Sequence, residues 1–113
     1  MSWFKVDDNL AFHAKVMTAG NAAMGLWVRA GSWSMQMLTD GRIPAAICRQ
    51  LGTESQAKKL VEAGLWETTK DGWRFHGWDE RQPSRASVEA ERLSARERQA
   101  RARQAAADKR KAQ

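Results

Sequence analysis

The sequence is poor in cysteine and has no long apolar run. Its one cysteine, Cys48, cannot form an intramolecular disulfide, which fits a reducing compartment. Because Ile47 and Leu51 are its apolar neighbours, we expect a thiol packed on a buried helix face. No apolar stretch approaches the ~20 residues that span a bilayer, and the N-terminus lacks the pattern of a signal peptide. We therefore expect a soluble cytoplasmic protein with no membrane partner.

The sequence is equally poor in residues arranged for catalysis. The two histidines, His13 and His76, have no cysteine or carboxylate partner at metal-ligand spacing. The acidic pairs at 7–8 and 79–80 are adjacent residues, which is typical of polar turns. No glycine-rich phosphate loop is present. We therefore expect no enzymatic activity, no metal site and no cofactor.

Acidic residues are scarce only at one end of the chain. Residues 1–83 carry 10 Lys or Arg and 9 Asp or Glu, whereas residues 84–113 carry 9 and 4. The chain of 113 residues has a net charge of +6, so nearly all of the excess lies in its last segment. A basic balance of this kind indicates an anionic partner, such as nucleic acid.

The first half of the chain follows a helical pattern. After an N-terminal arm over 1–12, a short helix is predicted to start at His13 and to stop at Gly20. A longer helix is predicted over 22–38. It is apolar over most of its circumference, which is typical of a helix at the centre of a domain.

Two shorter helices are predicted next, separated by a glycine. Pro44 is suited to a first helical turn, so the first of them is expected over 44–51. Thr53 and Gln56 form a capping-box pair at the start of the second, expected over 54–63.

The pattern then changes from helical to extended. Strands are predicted over 65–68 and 73–78, and the Asp71-Gly72 pair between them indicates a β-hairpin. The second strand would place Trp73 and Phe75 on one face and Trp78 on the other.

The last segment is rich in strong helix formers and nearly free of large apolar side chains. Pro83 marks a boundary, and Ser84 is suited to cap a final helix. One leucine and three alanines recur every seven residues from 86 to 107, which leaves a homodimer through this helix as an alternative. The other reading is a solvated tail that contacts phosphates on binding.

Together these elements predict a mainly α fold with a small β-hairpin, a winged helix-turn-helix followed by a basic C-terminal helix. The expected organisation is an N-terminal arm over 1–12, a winged-helix domain over 13–82 and a basic helical tail over 83–113. The core is expected to include Trp27, Leu38, Ile47, Leu60, Val61 and Trp73.

In a winged helix-turn-helix the second helix of the motif enters the major groove of double-stranded DNA. The candidate DNA contacts therefore lie on that helix, on the hairpin and on the tail, and they are Ser55, Gln56, Lys58, Lys59, Lys70, Arg74, Arg85, Arg92, Arg96 and Arg103. Glu62 lies on the same side as the two lysines and would repel phosphate.

Five segments resemble one family: WFKVDD at 3–8, MGLWVRAGSW at 24–33, LTDGRIP at 38–44, KLVEAGLWE at 59–67 and WRFHGWDERQPSRASVEAER at 73–92. The chain is similar there to the N-terminal winged-helix domain of actinobacteriophage replication-initiation proteins, which are related to DnaD-like and replisome-organiser domains. The resemblance implies a phage protein, here as a short stand-alone chain, that acts in a bacterial host cell. It implies DNA binding in replication initiation, with host or phage replication proteins as further partners.

Three functions remain open from the sequence. The first is DNA binding in phage replication, transcriptional control or a related DNA transaction. The second is a small protein-interaction module that binds and modulates a host protein, because some winged helices serve only protein contacts. The third is an architectural, excisionase-like factor. Loss of binding with rising salt favours the first and third over the second.

Overall fold

The structure, a computed structural model, describes residues 2–112. The chain divides into two compact units, the first ending at Gln82 and the second beginning at Pro83. The first unit contains a 3-10 helix, four α-helices and three strands within the described residues, in the order Leu10–Phe12, α1 Ala14–Met37, β1 Arg42–Pro44, α2 Ala45–Leu51, α3 Glu54–Glu62, β2 Trp66–Thr68, β3 Gly72–Phe75 and α4 Trp78–Arg81. The second unit contains one helix, α5, Arg85–Lys111. The predicted mainly α class is confirmed, and the predicted β-hairpin is part of a small three-stranded antiparallel sheet.

The central helix of the first unit is α1, as predicted. Its backbone leaves helical geometry at Gly20, where φ is +83° and ψ is 165°, so the predicted stop is confirmed. Beyond this kink the helix buries Ala23, Leu26, Trp27 and Ala30. It packs against α2, α3 and β1, which explains why it is apolar around most of its circumference.

A chain of hydrogen bonds closes the turn between α1 and β1. The backbone N–H of Gly41 donates to the hydroxyl of Ser34 over 2.8 Å, and the hydroxyl of Thr39 donates to the carbonyl of Arg42 over 2.8 Å. The hydroxyls of Ser34 and Thr39 are 2.6 Å apart. Because Thr39 has already used its single proton, Ser34 is the donor between them. Ser34 is fully buried. Its hydroxyl both donates and accepts a hydrogen bond, as a buried polar group requires.

The sheet contains a strand that the sequence pattern did not reveal. β1 pairs antiparallel with β3, which also pairs antiparallel with β2, giving the order β1-β3-β2. Ile43 of β1 lies opposite Trp73 and is buried. The predicted helical first turn at Pro44 is therefore corrected. Pro44 ends the strand and precedes α2 with φ −61° and ψ 147°, since a proline ring fits extended backbone as well as a first turn.

The predicted capping box at the start of α3 is confirmed. The N–H of Gln56 donates to the hydroxyl of Thr53 over 3.1 Å, and the N–H of Thr53 donates to the side-chain oxygen of Gln56 over 3.0 Å. Two N–H groups at the helix start are thus satisfied. The inner side of α3 buries Ala57 and Leu60 completely.

The predicted hairpin is confirmed, but its second strand is shorter than expected. β2 and β3 pair with Thr68 opposite Trp73. The strand ends at Phe75, because Gly77 adopts a left-handed conformation with φ +67° and turns the chain into α4. Trp78 is therefore the first residue of a helix. It is buried in the first unit, which corrects its predicted place on a strand, on the face opposite Trp73 and Phe75.

The core agrees with the prediction only in part. Trp27 and Leu60 are buried as expected. Four other predicted core residues are only half-buried and are corrected: Leu38, Ile47, Val61 and Trp73. The reason differs between them. Leu38 is the left-handed residue that ends α1, and on the short helix α2 Cys48 takes the fully buried position next to Ile47.

Aromatic rings fill much of the centre instead. Phe75 lies 5.5 Å from Trp66 and 5.2 Å from Trp78, measured between ring centroids. Phe4, from the N-terminal residues, contacts Trp27 edge-on at 5.1 Å and stacks on Trp78 at 5.9 Å. Such pairs contribute about 0.5–1.5 kcal/mol each beyond the burial of their area.

The second unit is one long helix with the predicted cap. The hydroxyl of Ser84 accepts a hydrogen bond from the N–H of Ser87 over 3.1 Å, and α5 then runs for 27 residues. Among the described residues, no helix combines the length and the apolar character needed to cross a membrane.

Candidate nucleic-acid interface

The outer side of α3 carries three of the predicted DNA contacts. Ser55, Lys58 and Lys59 are exposed, and their spacing places them on one side of the helix. Two glutamates of the same helix, Glu54 and Glu62, are exposed as well. The charges of α3 therefore balance. This surface offers hydroxyl and ammonium donors to bases and phosphates, but it provides no excess positive charge.

Gln56, a further predicted contact, has another function in the structure. Its side-chain oxygen accepts the hydrogen bond from the Thr53 N–H that completes the capping box, and the residue is half-buried. The side chain thus fixes the start of α3.

The turn before α3 is held from α1 by a residue that the sequence pattern did not single out. The guanidinium of Arg29 donates to the carbonyl of Leu51 over 2.7 Å, at the end of α2. A positive side chain at this place also interacts favourably with the negative end of the α2 dipole. Gly52 follows, and a Cβ atom there would lie 3.0 Å from the Leu26 side chain. The chain before α3 is thus held close to α1. No spacing rule predicts a contact between residues 22 positions apart.

The hairpin carries two predicted contacts in different environments. Lys70 is exposed in the turn between β2 and β3. Arg74 lies on β3, with its guanidinium 3.4 Å from the carboxylate of Asp79 and its side chain 40% exposed. The carboxylate of Asp79 partly neutralises the charge of Arg74. No ion pair within the described residues involves Lys70, so its charge is the less compensated of the two. On the neighbouring strand, Glu67 lies 3.6 Å from an imidazole nitrogen of His76.

The remaining predicted contacts lie on α5, in the second unit. Arg85 makes a charge-assisted hydrogen bond with Glu89 over 2.9 Å. Arg92, Arg96 and Arg103 are exposed. The structure thus groups the predicted contacts into three sets, on α3, on the hairpin and on α5.

No protein family, curated protein or solved structure matches this chain. The resemblance to phage replication-initiation proteins therefore stays a prediction.

A cleft of about 360 Å³ lies in the first unit, and Ser55, Lys58 and Lys59 are not among its lining residues. It is lined by residues of the N-terminal segment, the start of α1 and the chain after β3, and both histidines, His13 and His76, are among them. Asp7 is also at this cleft. The backbone N–H of Asn9 donates to its carboxylate over 2.8 Å and lowers the pKa of Asp7. Within residues 2–112, no group of three or more His, Cys, Asp or Glu side chains is placed to hold a metal ion.

The single cysteine is buried on α2, as the sequence predicted. Burial raises the pKa of the Cys48 thiol, so the thiol stays protonated at neutral pH. Because the thiolate is the reactive form, this environment fits a packing residue and not a nucleophile.

Proposed function

We propose that the first unit is a winged helix-turn-helix domain that binds double-stranded DNA, in replication initiation, transcriptional control or a related phage DNA transaction. The arrangement of the elements supports the fold. α2, the turn at Gly52 and α3 form the helix-turn-helix, and the β2–β3 hairpin is the wing. β1 supports this wing from the far side, because it pairs with β3.

The observation that carries the proposal is the two-sided character of α3. Its inner side is anchored by Ala57 and Leu60, which are fully buried. On its outer side Ser55, Lys58 and Lys59 are exposed. Within the described residues, no ion pair involves either lysine. A helix anchored in this way fits the major groove, which is about 12 Å wide. Ser55 lies in the first turn, where a recognition helix reaches base edges.

The hairpin supplies contacts of a different kind. The Lys70 ammonium at the turn is suited to a backbone phosphate beside the groove. Arg74 is suited to the same task, and binding would exchange part of its interaction with Asp79 for a phosphate. Phosphate contacts position the domain, and contacts from α3 select the sequence.

The test is a titration of a labelled duplex at several salt concentrations with the variant K58A/K59A. If each lysine contacts one phosphate, the slope of log affinity against log salt falls by about 2, with weaker binding at low salt. The matched control is K5A/R81A, which removes the same charge from the cleft. It should reduce the slope by less than about 0.5. An equal effect of both variants, with folding intact, would contradict the assignment of α3.

A second candidate function is a protein-interaction module that binds and modulates a host protein. One observation favours it: Trp3, Phe12 and Met17 are 70, 87 and 64% exposed. Large exposed apolar side chains are typical of protein contacts where they form a continuous surface patch. The variant W3S/F12S separates the candidates. DNA binding should be unchanged in this variant if the first proposal is right, and a partner bound through the aromatic residues would be lost.

A further inference from the structure

Five arginines of α5 lie along one side of the helix: Arg85, which pairs with Glu89, and four others further along. At about 100° per residue, Arg92, Arg96, Arg103 and Arg110 fall within about 40° of one another around the axis. All four side chains are exposed. We call these four residues the arginine stripe. Along the axis it extends about 27 Å from its first to its last member.

Three of the four acidic residues of α5 lie far around the helix from the stripe. Glu91, Glu97 and Asp108 lie about 120–140° from its centre. Glu89 lies closer, but it pairs with Arg85 over 2.9 Å. Among the ion pairs within residues 2–112, none involves a member of the stripe. Within the described residues the positive charge of the stripe is therefore not compensated by ion pairs.

Small side chains flank the stripe on both sides. Ala95, Ala102 and Ala106 lie along one flank, and Ala100 and Ala107 along the other. A second copy of the chain is a poor partner here, because it would bring four like charges against four others without an apolar seam. Charge complementarity instead favours a regular polyanion.

We infer that the arginine stripe is a second DNA-binding surface, which lies along the phosphate backbone of a duplex and supplies the sequence-independent part of the affinity. The inference rests on the proposed function. Because the charges of α3 balance, the arginine stripe is the surface that attracts DNA electrostatically. A stripe of about 27 Å covers about eight base pairs at 3.4 Å each. Each arginine that meets a phosphate releases counterions, so the stripe should dominate the salt dependence of binding.

The test compares two triple variants of the full chain that lose the same charge. The stripe variant is R92Q/R96Q/R103Q, and the matched control is R98Q/R101Q/K109Q, whose positions lie about 120–160° from the centre of the stripe. Glutamine has nearly the helix propensity of arginine and lysine, so both variants should keep the helical circular dichroism signal. The probe is a labelled duplex of arbitrary sequence, about 20 base pairs long, which is roughly two turns of DNA.

The stripe variant should lose at least tenfold in affinity at about 0.1 M salt, and the slope of log affinity against log salt should fall by about 2.7. The control should lose less than about threefold. Equal losses in the two variants would overturn the inference. The proposed DNA-binding function would still stand if the parent chain binds the duplex. A parent chain that binds no duplex would contradict the proposed function itself. The parent chain could instead bind polyglutamate as tightly as DNA, with that binding lost in the stripe variant. This result would overturn the inference and indicate an acidic protein as the partner.

Discussion

The ring of Phe4 lies directly against the backbone of Gly31 in α1, in the space that a Cβ atom at position 31 would need. The same ring stacks on Trp78 with an interplanar angle of 16°. The Phe4 ring therefore anchors the N-terminal segment in the core of the first unit, and a glycine in the central helix makes room for it.

Gly31→Ala should destabilise the protein although alanine is the better helix former. The new methyl group must displace the Phe4 ring, and overpacking of this kind costs about 1–3 kcal/mol. Gly25→Ala is the matched control in the same helix, because a Cβ atom there meets nothing within 4 Å. It should stabilise by about 0.5–1 kcal/mol. Urea denaturation of both variants measures the two free energies of unfolding.

The cause of the Gly31 effect can be isolated by a double-mutant cycle. When Phe4→Ala removes the ring, Gly31→Ala should no longer be destabilising. Additive costs of the two substitutions would show that the contact with Phe4 is not responsible.

Ser34→Ala should cost about 1–3 kcal/mol, because it leaves the buried N–H of Gly41 without an acceptor. Ser32→Ala in the same helix removes an exposed hydroxyl and should change stability by less than about 0.5 kcal/mol. Thermal or urea unfolding checks both values. Similar stabilities of the two variants would mean that the hydrogen bonds around Ser34 do not hold the turn before β1.

Local signals in the sequence predicted the parts of the fold that depend on local geometry. The capping box at Thr53 and the cap at Ser84 are set by residues three positions apart. The kink at Gly20 depends on a positive φ, which glycine favours, and the hairpin joins two strands that a short turn separates in the chain. These features could be read from the sequence because the groups that form them are neighbours in the chain.

The features that were missed depend on distant partners. β1 has three residues and exists because β3 lies beside it, so its own sequence carries no strand pattern. Trp78 is buried because it packs on Phe4, which is distant in the chain, and the packing of α2 on α1 buries Cys48 and leaves Ile47 half-buried. Helical spacing identifies residues that share a side, but the packing of the whole unit decides which side faces inward.

The candidate interface was predictable to a similar degree. The exposure of Lys58, Lys59 and Lys70 follows from a polar pattern opposite an apolar one. The use of Gln56 as a cap and the hydrogen bond from Arg29 to Leu51 depend on contacts that exposure patterns do not encode. The arginine stripe is readable from the sequence once the helix bounds are fixed, because it needs only the helical period.

The most direct test of the proposed DNA-binding function is a titration of the isotope-labelled chain with a duplex of about 20 base pairs, followed by backbone amide chemical shifts at about 50 mM salt. We predict the largest changes at the start of α3, at the turn around Lys70 and along the arginine stripe, with little change around the cleft at His13. Changes confined to the region of Trp3 and Phe12, or no change at all, would contradict DNA binding through α3.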